Sequence, residues 1–253
     1  MVKYKLKDCF KSRASPQSYY PLWRRPLSTI SFYILWIIAN LGLKNSYILS
    51  FMTLILGFTG CLFISTGYLV TGSIILIFSY IFDLLDGKLA RLLNKSNKNA
   101  KFIDWTYHSL IPTLAIFSLG IYLLNITNSI FYVLIAGGSA IVFLHKNLLS
   151  FLYLNIKDDI DIEGDKNHDF EKRIENIYSL KKCSTRFKLF YNTFIRLFVD
   201  STDVLFGIMF FSILKIVNIY LILFFFINTL LWLYSFYTKF RDLYIIEMKI
   251  KIK

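Results

Sequence analysis

Long apolar runs separated by short polar connectors dominate the chain. Six of them, at about 46–67, 69–92, 101–124, 129–153, 190–216 and 218–238, are long enough to cross a bilayer core as helices, which takes about 20 residues each. An earlier apolar run, 28–42, has only about 15 residues and is short for a span. It reads as an interfacial amphipathic helix with Tyr33 and Trp36 near the headgroups; the competing reading is a first span. The fold class expected is therefore an all-α integral membrane protein: six transmembrane helices preceded by an N-terminal interfacial helix. The domain plan is a cytosolic arm and interfacial helix over 1–45, a six-helix domain over 46–238, and a basic tail over 239–253.

Charge decides the orientation. The connectors at Thr66–Tyr68 and Asn125–Asn128 carry no charge, and the turn at Lys215–Asn218 carries one lysine. The alternate ends are rich in Lys and Arg: Arg24, Arg25 and Lys44 before the first span, Arg91, Lys95, Lys98 and Lys101 after the second, Lys239 and Arg241 after the last. The positive-inside rule then predicts that both termini are cytosolic. A span at 28–42 would break this alternation. A loop at about 155–188 holds eight acidic and eight basic residues, and falls on the cytosolic side as a solvated connector or mobile cover.

Composition agrees. Of 253 residues 56% are hydrophobic, and Phe 25 and Tyr 17 are counts suited to a lipid–water boundary. The formal net charge of +13 sits at helix ends and termini, where it meets anionic headgroups. No basic groove or stacking platform lies outside the apolar segments, so nucleic-acid binding is not expected. Cys9, Cys61 and Cys183 have neither disulfide nor zinc spacing. The first 27 residues are basic and broken by Pro16, Pro21 and Pro26, so no cleavable signal peptide is expected.

Ionisable residues inside spans are costly and usually functional. Here they cluster: Asp83, Asp86, Gly87, Ala90 and Arg91 close the second span, and Ala100, Asp104 and His108 open the third. Asp83, Asp86, Gly87 and Ala90 lie at i, i+3, i+4 and i+7 on one helix face, and Asp104 and His108 share a face four residues apart. A short connection makes the two helices antiparallel neighbours, so three carboxylates and an imidazole should converge just below the membrane surface. Carboxylates gathered this way repel and resist ionisation. Divalent cations such as Mg²⁺ or Mn²⁺ relieve the conflict and bridge to substrate phosphates. An ion-pair network with Arg91 and Lys101 is the structural alternative.

These residues resemble the CDP-alcohol phosphotransferase (CDP-alcohol phosphatidyltransferase) family, whose pattern is D-x2-D-G-x2-A-R-x8-G-x3-D-x3-D. Asp83, Asp86, Gly87, Ala90, Arg91 and Asp104 match at the family's spacing; Ala100 replaces Gly, and His108 replaces the last Asp. A Pro-Asn-x-x-Thr element that often opens the family's first span survives only as Lys44-Asn45-Ser46-Tyr47. The resemblance implies that Asp83, Asp86 and Asp104 are metal ligands for one or two Mg²⁺ or Mn²⁺ ions. It also implies that Asp83, Gly87, Ala90 and Arg91 surround the cytidine nucleotide. The family's last Asp is a ligand and the proposed general base; giving His108 the role of ligand or catalytic base extends that position to a different side chain. The lesser alternatives for His108 are a hydrogen-bonded packing residue and a site that has lost activity.

Lys146, Arg186 and Arg196, at the same ends of later spans, are candidates for binding phosphate or the acceptor, with headgroup contact or ion pairing as the alternative. The function expected is transfer of a phosphatidyl or phospho-alcohol group from a CDP-linked donor, CDP-diacylglycerol first among them, to an alcohol, releasing CMP. One rival is a degenerate family member that binds metal or cytidine nucleotide without turnover. A transporter, the other, needs a polar path that the apolar outer halves of the spans do not offer. Gly137-Gly138-Ser139-Ala140 hints at a homodimer interface.

Overall fold

The computed structural model describes residues 4–12, 21, 23–43, 45–93, 98–160 and 196–252, and every regular element among them is a helix. In chain order these are α1 (Leu6–Lys11), α2 (Arg24–Asn40), α3 (Ser46–Ser65), α4 (Leu69–Leu92), α5 (Lys98–Thr127), α6 (Phe131–Ile160), α7 (Arg196–Val199), α8 (Ser201–Ile213) and α9 (Val217–Ile252).

Five of them, α3, α4, α5, α6 and α9, are long and apolar enough to cross a membrane. The protein is thus a multi-pass membrane protein. The expected fifth span, 190–216, takes a different form. Its described part is a short turn, α7, a break at Asp200, and the 13-residue apolar helix α8. Asp200 causes the break, because its backbone is extended and its side chain accepts from the Thr202 N–H, which makes it the N-cap of α8. Residues 190–195, Arg186 and most of the 155–188 loop lie outside the described residues. The last helix continues through Ile252, so the basic segment 239–252 extends the final span as helix.

Local chemistry explains the connections. Asn45 caps α3 by accepting from the Tyr47 N–H at 3.0 Å. After α3, Gly67 adopts φ 104°, and the N–H groups of Gly67 and Tyr68 return to the carbonyls of Ile64 and Phe63, closing the helix in a Schellman motif. Lys215, at φ 58°, makes the same closure between α8 and α9. These tight, charge-poor turns force antiparallel neighbours.

The surface is inverted relative to a soluble bundle. Phe51, Leu62, Phe78, Leu134, Ile141 and Leu230 are exposed, as lipid-facing positions should be. Serines turn inward instead: the Ser79 hydroxyl donates to the Thr53 carbonyl at 2.7 Å, and Ser73 meets Ser212 at 3.2 Å. Between lipid-soluble helices, association rests on close backbone approach and such bonds. A close backbone approach joins α3 to α4. A Cβ on Gly72 would stand 2.6 Å from the Gly60 carbonyl oxygen, and one on Gly60 would stand 3.0 Å from that of Gly72.

A helix, α2, covers most of the run expected at 28–42. α2 lies along the Lys88 end of α4, burying Phe32 and Leu35 against Ile81, Leu85 and Leu89, with Cys9 of α1 beneath. Its other face exposes Ile30, Tyr33, Trp36 and Ile37. The Lys88 ammonium, 4% exposed, donates to the Ser28 carbonyl at 2.9 Å and to the Ser31 hydroxyl, and sits 3.7 Å from the Phe32 ring centroid.

Gly72→Ala sets a gain of about 1 kcal/mol in helix propensity against overpacking that costs about 1–3 kcal/mol; the facing atom is backbone, so the clash should win. Gly72→Ala is expected to lower the unfolding temperature in detergent. Gly137→Ala, whose Cβ meets nothing closer than 4.0 Å, should leave it unchanged or raise it.

Candidate metal and nucleotide site

Of the three carboxylates and the imidazole expected to converge, two carboxylates and the imidazole form one group. α4 and α5 bring Asp83, Asp104 and His108 together so that one ligand atom from each lies within 4.8 Å of the others. His108 Nε2 stands 3.5 Å from Asp83 Oδ2 and 3.5 Å from Asp104 Oδ1. Asp83 is buried, His108 half-buried, and the Asp104 carboxylate 59% exposed, so the cluster opens to the outside at Asp104.

Asp86, one turn along α4 from Asp83, accepts from the Ser50 hydroxyl of α3 at 2.5 Å. It borders the three-residue group and is held by α3. Gly87 leaves its side of α4 open: a Cβ there would meet nothing nearer than Arg91 Nη1 at 3.5 Å. Ala90 is half-buried on the same helix. Arg91 donates from Nε to the Ser12 carbonyl at 2.7 Å, which ties the end of α1 beside this opening. A nucleotide could approach the α4 backbone here with a guanidinium at hand. Ala100 lies in the first turn of α5.

Pro112 adds a feature of the α5 ladder. It has no N–H, so the carbonyl four residues earlier, that of His108, receives no helical hydrogen bond from it. The ladder is interrupted at the residue that carries the imidazole.

On the far side of His108 lies a second charged group. Thr202 Oγ1 is 3.4 Å from His108 Nδ1, and Asp200 holds the Thr202 N–H at 3.2 Å. Asp200 pairs with Arg24 at 3.0 Å and Arg196 at 2.9 Å; Asp203 pairs with Arg24 at 2.6 Å and Arg196 at 3.2 Å. Trp23 Nε1 donates to Asp203 Oδ1 at 3.0 Å. Two arginines and two aspartates thus form a balanced, largely buried square linking α2, α7 and α8. Buried charges demand such pairing, since leaving one alone costs several kcal/mol, about 3–5.

The sequence candidates for phosphate or acceptor binding fall as follows. The Arg196 guanidinium belongs to this square. Lys146 donates to the Asn228 side-chain carbonyl at 2.8 Å and to the Val199 carbonyl at 3.2 Å, bracing α6 against α7 and α9. Arg186 lies outside the described residues. Arg24, Ser50 and Thr202 were not singled out by sequence reasoning. Ser50 and Thr202 are hydroxyls in apolar runs, a weak signal, and nothing in the sequence pairs Arg24 with residues 176 and 179 positions away.

Residues 43–161 match the family model for CDP-alcohol phosphatidyltransferase. The protein carries a CDP-alcohol phosphatidyltransferase domain. The match spans α3 to α6 and contains Asp83, Asp86, Asp104 and His108. No curated protein and no solved structure matches the chain. The transferase domain ends before the Arg196–Asp200–Asp203 segment and begins after Arg24, so the charged square is built from both flanks of the matched region.

Removing one corner of that square should unbalance it. Arg24→Met is expected to destabilise the protein by about 3–5 kcal/mol, the cost of breaking a buried pair. Arg24→Met combined with Asp203→Leu leaves one Arg–Asp pair and should recover most of the loss. Thermal unfolding of the single and double variants in detergent checks the non-additivity.

Proposed function

We infer that the protein is a divalent-metal-dependent transferase. It would move a phosphatidyl or phospho-alcohol group from a CDP-linked donor to an alcohol and release CMP. The observation that carries this reading is the meeting of Asp83, Asp104 and His108 within a transferase domain. The donor set fits a divalent cation: two carboxylates and an imidazole face one point, with Asp86 on the same helix face as a further ligand. A bound ion would neutralise the donor's pyrophosphate and the charge that develops on departing CMP.

The chain's own residues supply the rest. Gly87 and Ala90 leave room for the cytidine along α4, and Arg91 offers a cation to a phosphate or to the base edge. The acceptor hydroxyl attacks the donor's β-phosphorus; its oxygen forms the new P–O bond, the bond to CMP breaks, and CMP carries away the electron pair. The hydroxyl proton goes to a group of this cluster, either His108 or the exposed Asp104 carboxylate. CDP-diacylglycerol is the donor placed first. Its headgroup would reach a cluster at the polar end of the helices while its acyl chains lie along exposed apolar faces. The lysine- and arginine-rich connectors on this side support a cytoplasmic site with cytoplasmic termini. The product would enter phospholipid or related lipid synthesis. A homodimer through the Gly137–Ala140 region is an arrangement that small residues permit.

The test is CMP release by the full-length protein in nanodiscs, supplied with CDP-diacylglycerol, Mg²⁺ or Mn²⁺, and a panel of alcohols. Wild type should release CMP only with metal and acceptor present. Asp86→Asn and His108→Ala should each lose at least about 100-fold, the scale of a general-base or ligand loss. Failure with lipid donors and with soluble CDP-alcohols plus diacylglycerol, while CDP still binds, would replace this reading by nucleotide binding without turnover.

A further inference from the structure

Resting on the transferase reading of the site, we propose that His108 is a metal ligand through Nε2, that Thr202 orients its ring, and that the site therefore favours a first-row transition cation over Mg²⁺. The placement of the ring carries the argument. Nε2 faces two carboxylate oxygens at 3.5 Å each, and Nδ1 faces the Thr202 hydroxyl at 3.4 Å. A neutral imidazole has one donor nitrogen and one acceptor nitrogen. With Nδ1–H directed to Thr202 Oγ1, the Nε2 lone pair points at the two carboxylates. Two anions facing Nε2 call for a positive charge or a proton there; without metal a proton on Nε2 meets the need while Thr202 donates to Nδ1, and in the proposed holo site a cation replaces that proton and Nδ1–H turns to Thr202. Metal-bound histidines commonly have the second ring nitrogen fixed by such an outer partner, which selects the tautomer.

Thr202 is itself fixed. Its N–H is held by Asp200, and Asp200 is held by Arg24 and Arg196. The ring is therefore oriented from α8, outside the α4–α5 pair that supplies the carboxylates. Thr202 is a positioning residue: it touches the imidazole and not the substrate.

The choice of metal follows from the donor type. Mg²⁺ is a hard ion that prefers oxygen, whereas imidazole suits first-row transition metals, whose affinity for a given site rises from Mn²⁺ toward Cu²⁺. Replacing a carboxylate by imidazole also removes one negative charge, which weakens the attraction for any divalent ion and leaves the nitrogen's covalent contribution to discriminate. With Nε2 committed to the metal, the acceptor's proton falls to the exposed Asp104 carboxylate or to a water beside it.

Pulsed electron paramagnetic resonance of Mn²⁺ bound to the full-length protein in nanodiscs, without substrate, tests this directly. The expected spectrum shows ¹⁴N hyperfine coupling from one imidazole. His108→Asp should abolish that coupling and lower the excess of Mg²⁺ needed to displace Mn²⁺ by at least about tenfold. Thr202→Val should keep the coupling while weakening Mn²⁺ binding about 10- to 100-fold, the usual scale for an outer partner of a ligand. Bound Mn²⁺ without nitrogen coupling, or no Mn²⁺ binding at all, would overturn the proposal in wild type alone, whatever the variants do. CMP release without the nitrogen signal would remove this inference and leave the transferase reading in place; the signal without CMP release would do the reverse.

Discussion

Lipid offers a charge no water, so each ion among these helices must find its partner within the protein or acquire one from outside. The molecule meets that constraint in two adjacent ways. Arg24 and Arg196 face Asp200 and Asp203, and their charges cancel. Asp83, Asp86 and Asp104 face one imidazole and a serine hydroxyl, and theirs do not. The first group is a closed structural joint. The second has an excess of acceptors and an opening at Asp104, which is what a site for a cation and its phosphate ligand requires. The thin wall between them is His108 and Thr202.

The rest of the fold holds those groups in place. Gly60 and Gly72 let α3 and α4 touch backbone to backbone, and that closeness brings Ser50 within reach of Asp86. The Lys88 clasp fixes α2 on α4 one residue beyond Gly87. That anchorage presents Arg24 to α8 at the start of α2.

Much of this was legible in the sequence because it is local. Helical spacing puts Asp83, Asp86, Gly87 and Ala90 on one face, and a short connection brings Asp104 and His108 opposite; no long-range information is needed. The apolar runs located the spans for the same reason, since length against bilayer thickness is a local property. The fifth run hid a break. Its hydrophobicity extends through 190–216, yet the side chain of Asp200 takes the Thr202 N–H and starts a new helix inside the run. Apolar content cannot reveal a cap that depends on where one carboxylate turns. The square of charges was illegible for a different reason: Arg24 meets residues far along the chain, and only the packing of α2 on the bundle decides that meeting. Arg196 was open to both phosphate binding and ion pairing, and its two aspartate partners could not be assigned to it from sequence.

The square joins a residue before the matched domain to residues after it, across the whole thickness of the domain in sequence. These positions are energetically a linked set: loss of the charge at Arg24 calls for a compensating change behind position 195. The signature carboxylates lie inside residues 43–161, whereas the residues that hold Thr202 beside His108, namely Arg24, Arg196 and Asp200, lie outside them. A change of one salt-bridge partner in either flank would therefore move Thr202, and the His108 ring with it, without touching the signature itself.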